Sequence, residues 1–234
     1  MSYLTDIMKN RQNIQFFKKE APDRQVIDDI LRRAHQLVPH KNNFWYYKIR
    51  VYGPEHEEEK KLIALASVTN DRFKNGTAED MEKLAQIYHT WTTDRTRKTL
   101  KVEGCNFNMQ VTAPYLLVYT HQSDFMTETQ KESDYNKSGN QKKSFTKNTN
   151  SIHSTDWVTQ AAMHGISTAY MCAEQGLHAS FCKCYFYNEH IKTDILREGE
   201  NTAFMLGIGY KDETKNYYPS PVTKPAYEEI VEWK

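Results

Sequence analysis

The stretch DWVTQAAMHGISTAYMCAEQGLHASFCKCYF, Asp156 to Phe186, decides how the rest of the chain is read. Trp157, Ala161, Ile166, Ala169, Cys172 and Ala173 recur at helical spacing, so its first part is a helix with one apolar face. Most of those residues are small, which permits close packing. Gly176 stands where a helix needs a left-handed residue to end. FCKCYFY, Phe181 to Tyr187, then has the alternation of a strand.

Upstream, TAPYLLVYTH, Thr112 to His121, is nearly continuous in apolar residues and reads as a central strand buried on both faces. YYKIRVYG, Tyr46 to Gly53, alternates and is rich in β-branched and aromatic residues, a second strand. Val26, Ile27, Ile30, Leu31, Ala34 and Leu37 mark a helix that starts near Pro22, in a first turn that tolerates proline, and stops before Pro39. EHEEEKKLIALASV, from Glu55, is another helix, its acidic start suited to the helix dipole. Downstream, TAFMLGIGY, Thr202 to Tyr210, is a further buried strand, and PVTKPAYEEIVEWK at the end has an extended, Pro-flanked character. Between about residues 122 and 155 the chain turns polar and nearly lacks aliphatic side chains. Such a segment cannot order itself by burial, and it reads as a lid-like insert in a single domain covering residues 1–234.

With 31 Lys and Arg against 30 Asp and Glu, the net charge of +1 asks for neither nucleic acid nor an anionic membrane. No apolar run approaches the roughly 20 residues of a membrane span. The N-terminus lacks the apolar core of a secretory signal, and the four cysteines are few enough to be reduced thiols, so the expected location is cytoplasmic. The CKC pair, Cys182 to Cys184, has the wrong spacing for a zinc knuckle and no second pair beside it, so no metal is expected.

One run stands out from this background. Arg11-Gln12-Asn13-Ile14-Gln15 places a cation and three amides just ahead of the helix near Pro22. It can be a solvated turn that caps a preceding helix, or an anion site, since a phosphate wants a guanidinium fork and neutral N–H donors together.

RQNIQFF (11–17), the helix near Pro22, PHKNN (39–43) before a strand, QAAMHGISTAYMCAEQGLHASFCKCYF (160–186), FMLGIGY (204–210) and TKPAYEEIV (223–231) together resemble the nitroreductase family of flavoproteins in order and spacing. The resemblance covers most of the chain outside the insert. It implies an α+β fold with a central, mostly antiparallel sheet flanked by helices, and an intertwined homodimer with FMN at the subunit interface. It also implies that NADH or NADPH supplies electrons, which the flavin passes to small acceptors such as nitroaromatics or quinones.

On this resemblance the FMN phosphate falls to Arg11, Gln12, Asn13 and Gln15, with Lys224 of the tail adding charge. Asn106 falls at the uracil edge of the flavin, where an amide supplies donor and acceptor; a turn Asn ahead of a strand is the alternative. His40, Lys41 and Asn43 would reach the partner subunit's site, or be solvated loop residues. Lys183 and Cys184 fall where a backbone N–H faces flavin N5, and a Lys183 ammonium close to the ring would raise the flavin's potential.

The departures matter too. The family commonly has Ser at position 13 and a base at position 15, and Gln15 in place of a cation removes on the order of 1 kcal/mol of phosphate binding. Two other functions therefore stay open. One is a fold-retaining protein with a binding or regulatory role, and the other is a specialised relative such as a dehalogenase or flavin-fragmenting enzyme.

Overall fold

The helix of the opening stretch ends where its glycine stands. In the computed structural model, which describes residues 3–11, 13–39, 45, 47–68, 77–93, 101–102, 105–122, 153–183, 195–198, 200–215 and 225–233, this helix is His153–Glu174. We label it α5, after α1 (Tyr3–Asn10), α2 (Arg24–Leu37), α3 (Glu57–Ala66) and α4 (Ala78–Thr93). Its buried stripe runs through Trp157, Gln160, Ala161, His164, Gly165, Thr168, Ala169 and Cys172, one face at helical spacing. Gly176 has φ +70°, and the Leu177 N–H reaches Cys172 C=O at 2.8 Å while the Gly176 N–H reaches Ala173 C=O at 3.3 Å. These two bonds form a Schellman motif, which satisfies carbonyls that the helix itself leaves open.

The chain then enters β5 (His178–Cys182), the edge of a four-stranded antiparallel sheet ordered β1-β4-β6-β5, with β1 at Lys48–Tyr52, β4 at Tyr115–Gln122 and β6 at Glu200–Gly209. β4 lies between β1 and β6, so the apolar strand is central, as its composition requires. Alternation divides it between two cores. Leu116 and Val118 pack with Ile63, Leu84 and Trp91 of α3 and α4 on one face. Leu117 and Tyr119 pack with Ile27 and Ile30 of α2 and Trp157 and Ala161 of α5 on the other. A two-stranded ribbon, β2 (Lys101–Val102) and β3 (Cys105–Asn106), and a 3-10 turn, Met109–Thr112, lead into β4. Gly207 of β6 lets that turn lie close, because a Cβ there would stand 2.9 Å from the Gln110 carbonyl oxygen.

Side-chain contacts fix the helix ends. Asp23 caps α2 by accepting the Gln25 N–H at 2.8 Å, which places Pro22 one residue before the cap rather than inside the first turn. Glu174 at the end of α5 joins three helices, accepting from Tyr3 at 3.0 Å and from Arg33 at 2.7 Å. At the two ends of the polar insert, the rings of His121 and Trp157 stack with centroids 5.0 Å apart. Of the insert expected at about 122–155, residues 123–152 lie outside the described residues, while 153–155 already belong to α5.

Two elements differ from expectation. The tail is not wholly extended: Tyr227–Ile230 form a single helical turn, α6, closed by the Ala226 N–H donating to Glu229 Oε1 at 2.8 Å. Helix α4 opens on a capping box, the Asp80 N–H donating to Thr77 Oγ1 at 3.3 Å and the Thr77 N–H to Asp80 Oδ2 at 3.1 Å. No described helix is long and apolar enough to cross a membrane.

Candidate functional site

The residues directly after Arg11 tie its run into the sheet. Ile14 and Phe17 bury their side chains against Ala113. The Lys18 N–H donates to Tyr210 C=O at 2.9 Å and the Asp212 N–H to Phe16 C=O at 3.1 Å, so residues 13–18 form a strap fastened just beyond the end of β6. The other end of the strap is fastened by Asn13, whose Oδ1 accepts the Phe181 N–H of β5 at 2.7 Å. This bond brings the anion-site candidate to the strand end that carries Lys183.

Phe181 is held from a second side. Gln110 Nε2 donates to Phe181 C=O at 3.3 Å and to Ser180 Oγ at 2.8 Å. Gln110 is itself buried and fixed, its N–H donating to Asn108 Oδ1 at 3.0 Å, while Asn108 Nδ2 rests on Met205 Sδ at 3.6 Å. Beneath the turn, the buried Lys60 ammonium donates to Ala113 C=O at 3.3 Å and Pro114 C=O at 3.2 Å. Burial lowers its pKa, with Glu57 and Glu55 opposing the shift.

Of the residues expected to meet FMN, Arg11, Asn13, Gln15 and Lys183 are described with their side chains. Arg11 uses its backbone N–H to close α1, donating to Ile7 C=O at 3.0 Å, and its guanidinium has no hydrogen-bond or ion-pair partner among the described residues. The capping role thus belongs to its backbone. Gln15 Oε1 is buried with no hydrogen-bond partner among the described residues. Lys183 stands exposed one residue past β5. A half-buried cation without an anion, and near it on the pinned strap a buried acceptor without a donor, suit a ligand that brings both an anion and an O–H or N–H group. FMN, with its phosphate and its hydroxylated chain, fits that requirement.

The backbone of Asn106 lies in β3 opposite Lys101, and its side chain lies outside the described residues. Gln12, His40, Lys41, Asn43, Cys184 and Lys224 also lie outside them. The structure adds Gln110 and Asn108, which sequence reasoning missed. Their signal was two amides in NMQVTAP, Asn108 to Pro114, immediately before an apolar strand, where burial is forced and an amide must find partners. Among the described residues no cluster of His, Cys, Asp and Glu could hold a metal ion.

A second polar group lies in the core behind the sheet. His164 of α5, 1% exposed, shares Nδ1 with the Tyr119 hydroxyl at 2.9 Å and the Thr168 hydroxyl at 3.2 Å. Burial first, and His35 second, lower its pKa to about 4, against a bond to the Leu31 carbonyl that raises it. It is neutral at physiological pH.

No family model and no curated protein matches the sequence. Solved structures do match in fold. A nitroreductase-like family protein from Bacillus cereus superposes with a TM-score of 0.61 at 16% identity, over 100% of this chain and 97% of its own. A nitroreductase-like protein from Streptococcus mutans gives 0.62 at 14% identity, over 98% of this chain and 97% of its own. An FMN- and NADPH-dependent nitroreductase from sphigopyxis sp. strain HMH gives 0.60 at 16% identity, over 100% of this chain and 99% of its own. The chain therefore has the nitroreductase-like α+β fold.

Proposed function

We propose that the protein is an FMN-dependent oxidoreductase that takes electrons from NADH or NADPH and delivers them to a small acceptor such as a nitroaromatic or a quinone. The observation that supports this reading is the Asn13–Phe181 bond, which ties the run from Arg11 to Gln15 to the strand end that precedes Lys183, in a run where Gln15 Oε1 is buried without a partner among the described residues. The fold supports it, since similar structures include a nitroreductase with bound FMN from Bacteroides fragilis, with a TM-score of 0.56 at 11% identity, over 99% of this chain and 100% of its own. Bound flavin supplies hydride and electron transfer between a nicotinamide and an acceptor. The chain's part is to bind and orient: Arg11 pairs with the phosphate, Gln15 accepts from a ligand hydroxyl, and the Lys183 N–H is held toward the ring edge. Gln12, Asn106, Cys184 and Lys224 complete that site in the same reading.

We further propose a homodimer in which His40, Lys41 and Asn43 complete the neighbour's site. The apolar side chains left exposed on a single chain support it: Val158 and Met163 on α5, and Tyr227, Ile230 and Trp233 on the tail. A cytoplasmic setting belongs to the same reading, and Cys105, Cys172 and Cys182 form no disulfide among the described residues.

The test is the visible spectrum of the purified protein and the identity of whatever denaturation releases. Noncovalent FMN is expected, and Arg11→Ala should weaken FMN by roughly ten- to a hundredfold, as loss of a charge-assisted bond does. A colourless protein that gains no flavin absorbance on incubation with FMN would favour the second reading, a fold-retaining binding or regulatory protein. Gln15 in place of a base is the feature that supports that alternative.

A further inference from the structure

We infer that Asn13 and Gln110 are positioning residues that clamp Phe181 from the open edge of β5, and so fix the strand end that carries Lys183. The part of this that concerns Lys183 rests on the flavin-site reading; the clamp does not need a flavin.

The argument begins with strand geometry. Residues of an antiparallel strand alternate, one turning both polar groups to its neighbour strand and the next turning both away. β5 pairs only with β6, and Phe181 stands opposite Leu206. Its N–H goes to Asn13 Oδ1 at 2.7 Å and its C=O accepts from Gln110 Nε2 at 3.3 Å, so both groups face the open edge. Continued past Cys182, where β5 ends, the alternation would turn the Lys183 N–H to the same edge, to which Asn13 of the strap bonds.

An edge strand left to water frays at its end, and a fraying end cannot hold one N–H in a fixed direction. The two amide side chains take the place of a missing neighbour strand. One belongs to the strap and the other to the buried 3-10 turn, so the clamp joins the two segments that border the candidate site. An asparagine carries its oxygen one bond farther from the backbone than a serine would, and with that reach it crosses to the strand. Because the Phe181 N–H can only donate, it also decides which end of the Asn13 amide faces it. The Asn13 oxygen is therefore a strand contact.

Amide hydrogen exchange, followed residue by residue in the protein as purified, tests the clamp. Asn13→Ala and Asn13→Ser should speed exchange at Phe181 roughly five- to tenfold, the factor that matches one hydrogen bond. Asn13→Asp keeps the accepting oxygen and should restore slow exchange. Unchanged exchange at Leu206, in the core strand, reports that the fold is intact. Binding of FMN and of riboflavin, which lacks the phosphate, separates positioning from phosphate contact. A positioning role predicts that Asn13→Ala weakens both ligands by the same factor. Unchanged exchange at Phe181 in Asn13→Ala overturns the clamp, and a binding loss confined to FMN makes Asn13 a phosphate ligand and overturns its positioning role. A protein that binds neither flavin while Phe181 still responds refutes the flavin reading and the role of Lys183, and upholds the clamp.

Discussion

Two side chains carry the clearest consequences at the scale of single residues. His164 has a proton affinity lowered to about 4 in the fold, against about 6.5 in an unfolded chain. The unfolded state therefore takes up the proton first as pH falls. The contribution is fully present above pH ~6.5 and shrinks as pH drops toward about 4, by about 3 kcal/mol at most. Urea unfolding between pH 4 and 8 should show that slope, and His164→Gln should flatten it. Lys183 points to the opposite conclusion. Its side chain is exposed on the single chain, and a side chain that stays in solvent when flavin binds has its charge screened from the ring. Lys183→Glu should then shift the flavin midpoint by less than about 10 mV, where about 30 mV would correspond to roughly 1.4 kcal/mol. A potentiometric shift of that larger size would place the ammonium against the ring. Arg11 and Gln15 could be picked out as candidates because their residue types state their chemistry, and the structure leaves Gln15 Oε1 without a hydrogen-bond partner among the described residues. Gln110 was not, because its importance lies in a contact with Phe181, 71 residues away, that no local pattern encodes.

Elements end and meet where glycines allow. Gly176 needs its left-handed φ, and an alanine there would cost about 1 to 2 kcal/mol although the space beside it is open. Gly207 has the reverse problem, an ordinary backbone with no room. Gly207→Ala should cost about 1 to 3 kcal/mol by pushing on the Gln110 carbonyl, and it should speed exchange at Phe181 as well. Denaturant midpoints for the two variants, with Phe181 exchange in both, separate conformational strain from displacement of the turn. The end of α5 could be read from the sequence because Gly176 follows directly on a periodic face. The central place of β4 could be read because it is apolar on both faces. Helix α4 passed unread, although Thr77 and Asp80 box its start and Met81, Leu84, Ile87, Tyr88 and Trp91 space its apolar face. The single turn at Tyr227 to Ile230 was not legible, since so short a helix has too few residues to establish a period.

At the scale of the molecule, the exposed apolar side chains on α5 and the tail bear on assembly. Sedimentation should give a mass twice that of the 27.5 kDa chain, and Met163→Asp should shift the equilibrium toward the single chain by tenfold or more, because a charge would be buried without a partner. A species of single-chain mass that retains flavin would contradict the shared site. The sheet and its two cores were visible in outline from alternation and helical spacing, whereas the joining of strap, turn and edge strand depends on three-dimensional placement. The stacked rings of His121 and Trp157 carry one more property. They meet at the two ends of the polar insert, so whatever path residues 123–152 follow, its two ends are brought together at one point. The closure penalty of such an excursion grows only logarithmically, about 0.6 kcal/mol for each doubling of contour length. Natural variation can therefore lengthen or trim this segment almost freely, and related chains should differ there by whole insertions while keeping an aromatic pair at its base.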